Sequence, residues 1–325
     1  MKLFNIILLL LACLVAQGKD YSITLTVNGF GGQKTYLAKV EGDLSILTDT
    51  LVADRYGVFR TTFSDENETG FYKFIFPQLN NAEVPFIFNN EDVALTTEAI
   101  NPSAYIQVVS SKENDLYYQF QAKTAIFNHH VGLLEMVYEN YSGDEYLNQT
   151  ENEYIRLLQE FSKDLGSMRE RGKNTFAWRV IKSSVPPLPP MLLSQSEKNN
   201  FLKAHYFDNV DFTDTLLINS EVFNTAAIQY LSVYTSKSQQ SNKNAIFMSA
   251  VDTILEKASV NEQTYEFIVN YLLGGFESMG ANEIVSYISQ KYLVGNTCDN
   301  EQGNTLRRKA LSNTELAVGK QAPLD

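Results

Sequence analysis

Side chains able to perform chemistry are few in this 325-residue chain, and they lie far apart. Thiol-disulfide exchange needs a reactive thiol, and the sequence has only 2 cysteines, Cys13 and Cys298. They form no Cys-x-x-Cys pair, so the chain lacks a two-thiol redox motif. Cys298 is the candidate reactive thiol, but the neighbouring carboxylates of Asp299 and Glu301 oppose formation of its thiolate. We therefore expect Cys298 to take part in redox chemistry only through a thiol of a partner.

The histidines are the candidates for a metal ion or for acid–base catalysis. The His129-His130 pair lies near Glu135, but neighbouring residues on a helix point about 100° apart and do not readily share one ion. We predict that both are polar residues of a helix surface. His205 with Asp208 and Asp211 suggests an acid–base or metal cluster. The alternative, which we favour, is a hydrogen-bonded histidine at the end of a helix.

The remaining sequence contains no known catalytic or cofactor-binding motif. A phosphate-binding loop, a dinucleotide fingerprint, a nucleophile elbow and a His-Glu-x-x-His motif are all missing. The sequence thus predicts no catalytic residue, no cofactor and no metal ion, and leaves open whether the full-length protein is an enzyme. The net charge of -12 disfavours nucleic acid as a partner, because phosphate binding needs clustered Lys and Arg.

The N-terminus has the pattern of an export signal. One positive charge at Lys2 precedes an apolar run, and Ala16-Gln17-Gly18 places small residues where a signal peptidase reads, so we predict a signal peptide over residues 1–18. An alternative is a lipoprotein box at Leu10-Leu11-Ala12-Cys13, with Cys13 as the candidate lipidation site. We predict no membrane span, because the apolar run is too short to cross a bilayer comfortably. The chain is expected to be exported, either free or tethered by a lipid.

Residues 19–109 are predicted to form a small antiparallel β domain. Apolar residues alternate with polar ones from Tyr21 to Val27, and turn-prone residues recur at short intervals after that. Seven strands, with an eighth at 104–109, favour a β-sandwich or a partly open barrel. Aromatic residues are frequent there, and we favour the core as their place over a ligand surface: Phe59, Phe63, Phe71, Tyr72, Phe74, Phe76, Phe86 and Phe88.

Residues 110–309 are predicted to form an all-α domain of seven or eight helices, so the fold class is α+β. Capping boxes are expected at Ser110 to Glu113 and at Ser194 to Glu197. A second helix is predicted to begin at Thr150, and a later one to stop at Gly274-Gly275. The proline-rich segment 185–190 cannot be helical. A stiff connector is the favoured interpretation there, and a recognition ligand is the alternative.

The C-terminal residues and the order of the segments carry a family resemblance. Val318-Gly319-Lys320-Gln321-Ala322-Pro323 resembles the start of a thioredoxin-like domain of the alkyl-hydroperoxide-reductase and thiol-disulfide-oxidoreductase superfamily. Segments 205–212, 271–273 and 276–280 resemble the helical module that precedes this domain in envelope proteins. The resemblance implies that residues 310–325 are a linker and the truncated start of a redox domain. Cys298 precedes that start and does not match the catalytic cysteine of the family.

Two functions remain as hypotheses. The first is a non-catalytic accessory region of a thiol-disulfide oxidoreductase, which binds or positions client proteins or peptides for the redox domain. The resemblance implies a periplasmic or outer-envelope location in a Gram-negative bacterium. The alternative is a stand-alone envelope binding protein whose ligand surface lies on the aromatic-rich β domain.

Overall fold

A computed structural model describes residues 19–141, 143–191, 193–234 and 243–293. These residues form an α+β fold in which eight strands precede eight α-helices. The described chain divides into two compact units. The first holds residues 19–39 and 46–118, and the second holds residues 40–45 and 119–293.

The strands form two four-stranded sheets. Sheet A has the order β4-β1-β7-β8, and sheet B has the order β3-β2-β5-β6. The pairs are antiparallel except β1 with β7, which is parallel and departs from the predicted antiparallel pattern. The strand bounds are β1 Asp20–Asn28, β2 Lys34–Glu41, β3 Leu44–Val52, β4 Val58–Ser64, β5 Gly70–Phe76, β6 Ala82–Phe88, β7 Val93–Glu98 and β8 Gln107–Ser110.

One apolar core lies between the two sheets, as in a β-sandwich. In β1 the buried residues are Tyr21, Ile23, Leu25 and Val27, which confirms the predicted alternation. Aromatic rings of β4 and β5 meet across this core: Phe63 lies 4.7 Å from Tyr72 and Phe59 lies 5.9 Å from Phe76, both edge-on. This packing places β4, an edge strand of sheet A, over the inner face of sheet B.

The chain crosses between the sheets in the turn that joins β3 to β4. The Asp54 carboxylate accepts hydrogen bonds from the amides of Tyr56 and Val58, and it pairs with Arg60 at 2.8 Å. Gly57 has φ +82°, and an added Cβ would lie 2.2 Å from the Val27 carbonyl oxygen. Only glycine fits this turn, which brings the edges β3 and β4 to the same side of the sandwich.

The helices are α1 Lys112–Asn140, α2 Asp144–Gly172, α3 Phe176–Ser184, α4 Gln195–His205, α5 Val222–Val233, α6 Lys243–Ala258, α7 Glu262–Ser278 and α8 Asn282–Ile288. A π-helical turn, Ser289–Leu293, continues α8. Helices α1 and α2 are the longest and pair in antiparallel fashion: Phe127 stacks on Phe161 at 4.4 Å, and Lys123 pairs with Asp164. Segment 185–190 is not helical, as its prolines predict.

Several helix boundaries differ from the predictions. The capping box predicted over Ser110 to Glu113 is wrong, because the capping side chain is that of Ser111. Its hydroxyl accepts a hydrogen bond from the Asn114 amide. Helix α2 begins at Asp144, so Thr150 lies inside it and bonds the carbonyl of Tyr146. The packing of α2 along its length stabilises the helix on both sides of Thr150. This outweighs the preference of threonine for a cap position. The capping box at Ser194 is confirmed.

The stop predicted at Gly274-Gly275 is also wrong, because α7 runs on to Ser278. The left-handed residue that follows the helix end is Gly280, with φ +69°. The two earlier glycines stay helical because buried neighbours such as Leu272 and Phe276 hold that turn against the core.

Candidate functional site

A cleft opens on the side of the sandwich where the edge strands β3 and β4 come together. It encloses about 360 Å³. We call it the edge cleft, and it is lined by Leu37 and Lys39 of β2, Thr48 and Asp49 of β3, Thr61, Thr62 and Phe63 of β4, Glu66, Asn67 and Glu68 of the loop, and Tyr72 of β5. Leu37, Phe63 and Tyr72 are its buried apolar and aromatic lining residues, and the other lining residues are polar or charged.

Strand β3, on one side of the edge cleft, is an open edge. In the described residues it has a strand neighbour only in β2, so its other side has no ladder partner. Its nine residues contain no proline and a single charge, Asp49, whose carboxylate accepts from the adjacent Thr50 amide. Ile46, Leu47 and Val52 expose apolar side chains, Leu47 to 61%. A long, apolar, uncovered edge is a template for pairing with another extended chain.

The opposite edge of sheet B is closed by side chains. The buried amide of Asn114 on α1 accepts from the Ile87 amide and donates to the Ile87 carbonyl, each at 2.8 Å. Ser103 bonds both backbone groups of Glu83 in the same manner. Tyr118 donates to the carbonyl of Pro85. These contacts occupy the outward backbone groups of β6, so this edge cannot accept a further strand.

The charges of the edge cleft are mostly negative. Lys39 pairs with Glu68 at 2.6 Å, and the Lys39 side chain is only 17% exposed. Asp49 and Glu66 add two further carboxylates. A cleft with three acidic groups and one basic group attracts a cationic side chain more than an anionic one.

Tyr72 forms part of the cleft wall and stays protonated. Its phenol donates to the Glu68 carbonyl at 3.0 Å. Burial, helped by the Glu68 charge, raises the pKa of Tyr72 to about 12. Tyr72 therefore acts as a neutral donor and as a packing surface, and not as a base, at ordinary pH.

The predicted placement of the aromatic residues in the β domain is confirmed. All eight that the sequence drew attention to are buried, from Phe59 at 0% exposure to Phe71 at 7%. Only Phe63 and Tyr72 of this set also line the edge cleft. A ligand surface made of the whole aromatic set is therefore not supported.

The histidine candidates are where the favoured interpretations placed them. His129 and His130 are both exposed on α1, with ring centroids 5.9 Å apart. His205 ends α4, and its Nδ1 lies 2.9 Å from an oxygen of Asp208. Asp211 instead bonds Thr213 and lies near Lys182. Among the described residues, no group of three or more His, Cys, Asp and Glu side chains could hold a metal ion.

Cys13 and Cys298 lie outside the described residues, as do the predicted signal peptide and the C-terminal segment 310–325. Within the described parts of the chain, no helix is both long and apolar enough to span a bilayer.

A polar cluster in the helical part was not predicted from the sequence. The Asp252 carboxylate on α6 accepts from Tyr287 at 2.7 Å, from Lys291 at 2.9 Å, and from Tyr292. Burial raises the pKa of Asp252, but these three hydrogen bonds outweigh it and the pKa is lowered overall. The Asp252 carboxylate is thus satisfied by three donors, and these hydrogen bonds hold the π-helical turn against α6. We interpret the cluster as structural.

Comparison with known families finds one match. Residues 144–297 match the family described as Domain of unknown function (DUF5106). The matched segment begins at the first residue of α2 and contains every helix from α2 to α8. Comparison with curated proteins finds no match to the chain.

The open edge of β3 is a candidate functional feature that was not predicted from the sequence. A signal was present, because the apolar pairs Ile46-Leu47 and Leu51-Val52 flank a Thr-Asp-Thr triplet. Adjacent apolar residues in a strand point to opposite faces, so one of each pair cannot enter the core. Asp252 carried no such signal, since its partners are more than thirty positions away.

Proposed function

We propose that this chain is a non-catalytic binding region that holds extended segments of client polypeptides against β3. The observation that carries the proposal is the uncovered apolar edge of β3 beside the edge cleft. An extended peptide would continue sheet B as a fifth strand, with backbone hydrogen bonds for affinity and the edge cleft for side-chain selection.

The chemistry of the cleft favours one kind of peptide. Side chains of an extended strand alternate between two faces. Those facing the cleft would meet Asp49, Glu66 and Glu68, so lysine or arginine is favoured there. Those on the other face would pack beside Ile46 and Val52, which are exposed and point away from the face of Asp49, so apolar residues are favoured. The preferred client segment therefore alternates apolar and basic residues.

The larger protein we propose is an exported thiol-disulfide oxidoreductase of the envelope. Support comes from the resemblance of residues 318–323 to the start of a thioredoxin-like domain. In that arrangement this chain holds the client and the following domain exchanges electrons with it. The gene provides the test: the reading frame after Asp325 should encode a strand followed by Cys-x-x-Cys. An unrelated sequence at that place would reject the oxidoreductase part and leave the binding site untouched.

Peptide binding can be measured by fluorescence anisotropy with three labelled peptides of equal length. One alternates valine and lysine, one alternates valine and glutamate, and one is the valine–lysine peptide with proline at every second valine. We expect the valine–lysine peptide to bind at least about tenfold more tightly than the glutamate peptide. The proline peptide should not bind, because proline cannot donate to the ladder. Equal binding of the proline peptide would contradict strand addition.

A pair of variants locates the site. Leu47→Lys places a charge on the β3 edge, as natural edge strands do to prevent pairing, and should weaken binding at least about tenfold. Val109→Lys is the matched control, because Val109 is 69% exposed on β8, at an edge of the other sheet. The control should bind as the wild type does. If both variants bind equally, the peptide does not sit on β3.

A further inference from the structure

Lys19, the first residue that the structure describes, is held by the loop that joins β4 to β5. In the ladder of β1 with β4, Asp20 pairs with Ser64, so Lys19 faces Asp65 one position further on. The backbone nitrogen of Lys19 lies 3.0 Å from Oδ2 of Asp65. This contact joins residues 46 positions apart, so it depends on the folded sandwich and not on the local sequence.

The Asp65 carboxylate is able to bind a positive group. Its other oxygen, Oδ1, accepts a hydrogen bond from the buried phenol of Tyr21 at 2.8 Å. The hydrogen bond from the Lys19 nitrogen and then that from Tyr21 lower the pKa of Asp65, so the carboxylate is charged at neutral pH. A carboxylate has about four acceptor sites. These two hydrogen bonds therefore leave it able to accept further hydrogens from the same nitrogen.

The surroundings of the Lys19 backbone nitrogen are acidic. Asp20 is the next residue in the chain, and the carboxylate of Asp92 accepts from the β1 backbone at 2.8 Å. The Lys19 ammonium group lies over the Tyr21 ring, 4.8 Å from its centre. With Asp65, three carboxylates thus lie around one ammonium group. A further positive charge on the backbone nitrogen would be stabilised there.

We propose that the chain is cut between Gly18 and Lys19, and that Asp65 binds the α-ammonium group which this cut creates. A signal peptidase would hydrolyse the Gly18–Lys19 peptide bond with one water molecule. The water oxygen goes to the new carboxylate of Gly18, and both water hydrogens end on the Lys19 nitrogen. That nitrogen, which already faces Asp65, changes from a neutral donor with one hydrogen into a positive donor with three. Hydrogen bonds between charged partners are shorter and stronger than neutral ones.

The proposal distinguishes the two export patterns found in the sequence. A signal peptidase reads small residues at Ala16 and Gly18, and its cut falls one residue before β1 begins. Lipidation at Cys13 would instead leave Lys19 inside the chain, where its nitrogen remains an amide. Asp65 would then receive no charged partner at this nitrogen. A positive terminus at Asp65 therefore implies a chain released from the membrane, and not one tethered through a lipid.

Export of the full chain in a Gram-negative host tests the cut. Intact mass and N-terminal sequencing of the exported protein should give a chain that starts at Lys19. Gly18→Leu should abolish this cut, because the peptidase requires a small residue there, whereas Gln17→Leu at the neighbouring position should not. Cys13→Ser should be processed like the wild type. A different first residue, a lipid on Cys13, or loss of processing in Cys13→Ser overturns the proposal.

Titration of the terminal amine tests the contact with Asp65. NMR of the isotope-labelled mature protein follows the Lys19 Cα signal with pH and gives the pKa of this amine. It should lie above the ordinary value of about 7.7–8.0, and Asp65→Asn should lower it by about 0.2 to 0.7. Glu66→Gln is the matched control, because it removes the neighbouring exposed carboxylate and keeps Asp65. If Asp65→Asn lowers the pKa no more than Glu66→Gln does, Asp65 does not bind the terminus.

Discussion

The two edges of sheet B, β6 and β3, differ in whether side chains bond their outward backbone groups. Along β6 the buried Asn114 occupies both backbone groups of Ile87, and Ser103 occupies those of Glu83. Along β3 no side chain of the described residues holds both backbone groups of one residue, and the strand exposes Ile46 and Leu47. An edge left open by default invites aggregation, so proteins usually close their edges. The contrast is consistent with a stabilising role for the side chains along β6 and with the pairing role that we propose for β3.

The strongest test of this contrast opens the closed edge. Asn114→Ala should lower the free energy of unfolding by about 3 kcal/mol, because it leaves the buried amide and carbonyl of Ile87 without partners. Urea denaturation measures the change. Asn128→Ala, at an exposed position of α1, serves as control and should change stability by less than about 0.5 kcal/mol. A loss below about 1 kcal/mol for Asn114→Ala would mean that water satisfies this edge, and the contrast with β3 would disappear.

A milder change compares one serine near each edge: Ser103, in the loop after β7, and Ser45, within β3. Ser103→Ala should cost about 1 kcal/mol, because its hydroxyl bonds the Glu83 amide at 3.2 Å and carbonyl at 2.7 Å. Ser45→Ala, at an exposed position of β3, should leave stability unchanged. Thermal unfolding of the two variants side by side provides the measurement. Equal losses would indicate that serine contributes alike at both edges.

Tyr72 permits a test inside the edge cleft that depends on pH. Tyr72→Phe removes the hydrogen bond to the Glu68 carbonyl and should cost about 0.5 kcal/mol at neutral pH. The pKa of Tyr72 is raised from 10.0 to about 12 in the folded protein. Stability from the protonated phenol is therefore complete below pH 10 and is lost as pH rises towards 12.

Alkaline denaturation curves of the wild type and of Tyr72→Phe check this sign. The advantage of the wild type should shrink between pH 10 and 12, because only the wild type has the Tyr72 phenol to ionise on unfolding. Other buried tyrosines titrate alike in both proteins, so the difference isolates Tyr72. A constant difference across this range would place the phenol in water, and the cleft would then have no buried wall.

The sequence was a good guide to the sandwich because its signals are local and repeated. Alternation from Tyr21 to Val27 defines the buried face of β1, and Gly57 marks a turn that tolerates no side chain. The parallel pairing of β1 with β7 could not be read this way. It joins residues about seventy positions apart, and nothing in either strand encodes the direction of its neighbour.

The candidate site was harder to predict, because it too depends on contacts between residues far apart in the sequence. Whether β3 lies at an edge depends on the order of strands in sheet B, which is a property of the whole unit. Asn114 is similar, since its role arises only when α1 packs against β6. The apolar pairs Ile46-Leu47 and Leu51-Val52 were the local signal, because two adjacent apolar residues in a strand cannot both point to the core.

The smallest expected effect separates binding from stability at β3. Leu47→Lys should change the free energy of unfolding by less than about 0.5 kcal/mol, because Leu47 is 61% exposed and its side chain supports little of the core. The same variant should lose peptide binding. Urea denaturation and anisotropy on one protein sample measure both. If unfolding weakens by more than about 1 kcal/mol, Leu47 is a structural residue, and loss of binding by this variant would no longer identify β3 as the site.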